Sequence, residues 1–117
     1  SLGFVMHTTD LLQPHHTWTT SALNHSGWET WVKDYYDTEQ LADFSEVTRA
    51  MASYTPLAAT ATDIRPLLRQ GGSLSYAKGG SVLNTTDHAE RRRVGRIVVP
   101  HAVAMVVHLL NRAAERM

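Results

Sequence analysis

The chain has no cysteine among its 117 residues. That removes disulfides, thiolate metal sites and cysteine nucleophiles together. Neither sign of charge is in surplus: 11 Lys and Arg balance 11 Asp and Glu, for a formal net charge of zero. A neutral chain sets up no global field that draws in nucleic acid, so a nucleic-acid partner is not expected. No signal peptide is expected, because Leu2, Gly3, Phe4, Val5 and Met6 make too short an apolar run for a leader. Absence of a leader and of cysteine favours a cytoplasmic location. Familiar catalytic patterns are missing as well. There is no His-Glu-x-x-His, no Gly-x-Ser-x-Gly elbow and no P-loop. Lys78 precedes Gly79 and Gly80 instead of following them, so that stretch is read as a loop, not a phosphate cradle.

What is present is globular. The length suits one helical domain over residues 1–117, long enough for a core without metal or disulfides. Hydrophobic residues at 43% and charged residues at 19% rule out a disordered chain. Seven histidines are many for this length, so net charge should turn positive between about pH 7 and pH 5.

The most apolar part lies near the carboxyl end. Asp87 with Glu90 fits a capping box. Val94, Ile97, Val98, Ala102, Met105, Val106, Leu109 and Leu110 then recur in steps of three and four, the spacing of one helix face. Val99, Val103, Ala104 and Val107 make the other faces apolar too. A helix apolar nearly all round is buried on most sides or lies in a membrane. The run from 97 to 110 is shorter than the roughly 20 residues a bilayer needs and contains Pro100, His101 and His108. It is therefore expected to be a central core helix and not a membrane span. Pro100 predicts a kink or break there; a short strand over residues 96–99 is the competing version.

Earlier, Ser26 and Glu29 form a second capping-box pattern. Trp28, Trp31, Val32, Tyr35 and Tyr36 follow at helical spacing, a face loaded with rings. Thr38 is expected to cap a second helix carrying Leu41, Phe44, Val47, Met51 and Tyr54. Thr55 and Pro56 are expected to open a third, interrupted at Pro66 and ended by Gly71 and Gly72. Residues 71–81, rich in Gly and Ser, read as a loop or small hairpin.

The fold expected is mainly α: a compact bundle of four to five helices around a buried C-terminal helix, with that Gly-rich connector. Candidate sites follow from residue type. Trp18, Trp28, Trp31, Tyr35 and Tyr36 are candidate interface residues, because such rings make binding hot spots; burial in the core is the competing use. His15, His16, His25, His101 and His108 are the candidate polar site. His101 and His108 share a stripe but stand about 10 Å apart along a helix, too far to share one ion, so no metal and no cofactor is expected. The favoured reading is that the N-terminal histidines are exposed and that His101 and His108 line a polar stripe continuing through Asn111, Arg112 and Glu115, with histidine metal binding the competing one. Arg92 and Arg96, on one face of a basic run, are candidate anion contacts. The function expected is a non-catalytic helical interaction or assembly module whose partner is a protein, with a homo-oligomer favoured. A small histidine-dependent enzyme or metal-binding protein is the alternative.

Overall fold

A computed structural model describes residues 25–60, 65–82 and 85–115. Among them are four α-helices: α1 (His25–Tyr35), α2 (Phe44–Thr60), α3 (Arg65–Gly79) and α4 (His88–Glu115). A single 3-10 turn at Gly80–Val82 links α3 toward α4, and no strand occurs among the described residues. The protein is mainly helical, as its periodicity predicts.

Helix α4 packs chiefly on α2 and α3, and α1 lies against it as well. Its first turn is closed by the expected residue but not by the expected pair. The amide of Arg91 donates to the Asp87 carbonyl at 3.1 Å, and the Asp87 amide donates to the Thr85 hydroxyl at 3.0 Å. Glu90 turns away, accepting from Ser81 at 3.0 Å and from Arg93. Thr85, one turn of chain earlier, thus satisfies the amide that a capping box would assign to Glu90.

No break occurs at Pro100, because α4 is one helix from His88 to Glu115. The strand version of residues 96–99 is overturned. Proline removes one amide from the ladder, yet Val98, Val99 and Pro100 are all buried, so packing on several sides holds the helix together. From 97 to 110 every residue is buried or half-buried and none is exposed. By length and composition the span His88–Arg112 is also sufficient to cross a membrane.

Two apolar clusters sit on α4. One joins Trp28, Trp31, Leu41, Val82, Val94, Val98 and Val99. The other joins Ala50, Tyr54, Leu67, Ala104, Met105 and Leu109. Full burial of one such aliphatic side chain contributes roughly 1.5–3 kcal/mol, so these clusters fix how α1, α2 and α3 lie on α4.

Three local expectations are corrected. Thr38 does not cap a helix; residues 36–42 form a turn in which Gln40 adopts φ 52° and Leu41 drops into the core. Asp43 takes the cap, its carbonyl accepting from the Val47 amide at 2.9 Å. The Ser45 hydroxyl, then the amides of Glu46 and Ser45, hold its carboxyl below the usual range. Helix α2 runs on through Pro56 to Thr60, so Thr55 and Pro56 open nothing. Ser26 likewise lies inside α1, which begins at His25.

The largest correction is the Gly-rich stretch. Residues 71–79 are the second half of α3, not a loop or hairpin. Leu67, Gly71, Ser75 and Gly79 recur every four residues, and all four are buried. Each interior glycine costs about 1 kcal/mol of helix propensity relative to alanine. Here that cost is offset by the packing of α3 as a whole along α4, including Leu67 in the second cluster. Tertiary packing commonly overrides propensity in this way.

Candidate functional site

Two hydrogen-bonded histidine networks lie on opposite halves of α4. In the first, the Trp31 indole N–H donates to His88 Nδ1 at 3.1 Å. An indole nitrogen only donates, so Nδ1 must accept, and His88 is held as the neutral ring with its proton on Nε2. That Nε2–H donates to Glu39 Oε1 at 3.1 Å. Arg92 Nη1 stands 3.6 Å from Glu39 Oε2, and Arg96 Nε donates to the Glu39 carbonyl at 3.0 Å. The His88 hydrogen bond, then Arg92 and Arg96, hold the Glu39 carboxyl below the usual range against some desolvation. Tyr35 completes the group edge-on, its ring centroid 4.7 Å from that of His88.

Both nitrogens of His88 are thus occupied, which leaves none to take a proton from substrate or to ligate a metal. This network is a clasp between α1, the turn after it and the first turns of α4. Arg92 and Arg96, the expected anion contacts, instead hold Glu39. Arg93 is bonded to Glu90. Within this basic run it is Arg91 whose guanidinium is left over: its Nε is buried and has no hydrogen-bond partner.

The second network is built on Tyr54 of α2, which is fully buried. Its hydroxyl lies 3.0 Å from His101 Nδ1. A buried phenol must place its proton, and His101 is the acceptor within reach. His101 therefore carries its own ring proton on Nε2. One two-turn step along α4, His108 Nε2 donates to the Met51 carbonyl at 3.0 Å. The two imidazoles flank the Tyr54 ring edge-on, with centroids 5.4 and 6.4 Å away. Burial pushes the Tyr54 phenol up to about 12 and pushes His101 below its ordinary value.

The exposed polar stripe weighed for His101 and His108 is therefore not formed; both are half-buried and turned onto α2. Their shared spacing was visible in the sequence, but the tyrosine between them was not. His15, His16 and Trp18 lie outside the described residues, and of the His25 side chain nothing is described. Among the described residues no three His, Asp or Glu side chains gather as a metal site.

The aromatic face of α1 is divided. Trp28 and Trp31 are 0% and 5% exposed and stack at 5.7 Å, so they belong to the core and not to a free surface. Tyr35 and Tyr36 remain exposed. Phe44, at 84%, is the most open large apolar side chain among the described residues.

A different apolar face of α4 stays incompletely covered. Val103, Val106, Val107 and Leu110 follow at i, i+3, i+4 and i+7, and each is only half-buried. At 100° per residue they lie across the helix from Val94, Val98 and Met105. Val106, Val107 and Leu110 belong to neither cluster among the described residues.

No family model, no curated protein and no solved structure matches this chain.

Proposed function

We propose that this chain is a non-catalytic assembly module that pairs with a second copy of itself through the outward face of α4. The observation that carries the reading is the half-buried stripe Val103, Val106, Val107 and Leu110. Such a spacing is that of a seam into which a second helix fits its own side chains. Zero net charge removes the long-range repulsion that keeps many small proteins apart. Facing two copies of one stripe closes the contact on itself, as in an ordinary two-fold dimer.

A second helix is preferred to lipid on three grounds. Pro100 lies within the segment, and His101 and His108 hydrogen-bond to α2 across it. Intramembrane polar groups of this kind are expensive. The alternative of a histidine-dependent enzyme has less support, because His88 has no free nitrogen and His101 and His108 each have one engaged.

Light scattering over a dilution series tests the proposal. At tens of micromolar the mass should be twice the 13.0 kDa of the chain and should fall on dilution. The paired change Val106→Glu with Val107→Glu should give monomer with unchanged helix content. A wild-type mass of one chain at every concentration overturns it.

A further inference from the structure

A cleft of about 470 Å³ opens between α1 and the start of α4, lined by Gly27, Thr30, Trp31, Asp34, Tyr35, Thr86, His88 and Arg91. It is shallow and open to solvent, so a ligand there stays partly exposed. We propose that it binds a small aromatic zwitterion, of the kind represented by an aromatic α-amino acid, with the carboxylate on Arg91, the ammonium on Asp34 and the ring against Tyr35, the exposed member of the ring group.

Trp31 has given its only N–H to His88, and His88 has given both nitrogens to Trp31 and Glu39. These side chains therefore offer the cleft ring surface and nothing else. Trp31, Tyr35 and His88 form a triangle of tilted and edge-on rings with centroids 5.4, 5.5 and 4.7 Å apart. Because each ring is held by its neighbours, the apolar wall exists before any ligand arrives, which lowers the ordering cost of binding.

What remains among the lining residues is one guanidinium, one carboxylate and three hydroxyls, those of Thr30, Tyr35 and Thr86. Arg91 and Asp34 line the same space, yet no ion pair joins them, and the buried Nε of Arg91 has no partner. The Arg91 side chain lines the cleft, and its planar guanidinium suits a carboxylate. Arg91 also lies in the first turn of α4, where the helix dipole favours an anion. Asp34 opposes a plain anion but accepts an ammonium. One cation and one anion across a ring-lined cleft thus match a ligand that carries both charges and a flat apolar group.

Calorimetric titration of the full chain with L-phenylalanine, phenylacetate, phenethylamine and inorganic phosphate tests this. Backbone NMR shifts would locate any binding at Thr30, Trp31 and Thr86. L-Phenylalanine should saturate one site per chain with a dissociation constant of about 1 mM or tighter. Phenylacetate and phenethylamine, each lacking one charge, should bind roughly tenfold more weakly or worse. Arg91→Gln and Asp34→Asn, both partly or fully exposed positions, should each weaken L-phenylalanine by a similar factor while leaving the melting temperature unchanged. The proposal is overturned if L-phenylalanine does not bind, if phosphate alone binds, or if either half-molecule or either variant matches the wild-type value. Light scattering of the same variants reads self-association separately, so failure here leaves the α4 pairing standing.

Discussion

The Tyr54 hydroxyl lies 3.0 Å from Nδ1 of His101 inside the contact between α2 and α4. Each partner fixes the other. A neutral imidazole accepts the phenolic proton; an imidazolium, with a proton on each nitrogen, does not.

The pH dependence of stability follows from the burial of His101 in that contact. Burial lowers the His101 value in the folded chain below its ordinary 6.5. Above about pH 6.5 neither state is protonated there, and the contribution is fully present. As pH falls below 6.5 the unfolded chain takes up the proton first, so stability declines with acid. Melting temperatures measured from pH 7.5 to 5.5 should fall, and His101→Gln should flatten that part of the decline. Identical slopes in the two proteins would show that His101 is not the group responsible.

Tyr54→Phe separates the bond from the burial. It removes one hydrogen bond worth about 1 kcal/mol, or roughly 4 °C in melting temperature for a chain of this size. His101 stays desolvated, so the acid decline should persist in this variant. Loss of the decline in Tyr54→Phe would assign the effect to the bond instead.

Trp28 and Trp31 make a matched pair for testing the clasp. Both rings are buried in one cluster. The Trp31 N–H is bonded to His88, whereas the Trp28 N–H is buried with no partner. Trp31→Phe therefore leaves His88 without a donor, while Trp28→Phe removes an unsatisfied group. Chemical denaturation should find Trp31→Phe the more destabilising, by about 1 kcal/mol or more. The reverse order would mean that ring volume alone decides the cost.

Gly95 shows packing overruling propensity. A Cβ built there would meet Trp31 Cζ3 at 3.1 Å and Leu41 Cδ2 at 3.2 Å. Trp31 cannot easily yield, since His88 and the Trp28 stack hold its ring. Helix propensity alone would make Gly95→Ala stabilising by about 1 kcal/mol. Overpacking costs about 1–3 kcal/mol, so the net expectation is a loss of about 1 kcal/mol in denaturant unfolding. A gain in stability would show that the ring gives way.

Some of this was legible from residue order. The steps of three and four through Val94, Val98, Met105 and Leu109 marked α4, and Trp28, Trp31 and Tyr35 marked α1, because both signals are local and periodic. Gly71 and Gly72 read as a helix stop by their own propensity, yet α3 runs through them, packed as a whole along α4. Pro56 likewise sits inside α2, and no break occurs at Pro100 of α4. The two networks were invisible because their members are far apart in the chain. Trp31 and His88 are separated by 57 residues, Glu39 and His88 by 49, Tyr54 and His101 by 47. Arg92 and Arg96 share a helix face, which suggests an anion contact, yet the turn after α1 brings Glu39 to both. Nothing in the run Arg91-Arg92-Arg93 tells one arginine from the next.

The absence of cysteine makes the α4 pairing directly measurable. Asn111 is exposed and follows Leu110, the last residue of the stripe. Asn111→Cys gives a single attachment point for a nitroxide, and dipolar spectroscopy then reads distances between copies only. If two copies meet along Val103, Val106, Val107 and Leu110, labelled protein at about 100 µM should show one intermolecular distance under roughly 30 Å, given the 1.5 Å rise per residue and close helix packing. It should vanish on dilution with excess unlabelled chain. A featureless background decay at that concentration, with the protein folded, would contradict the pairing.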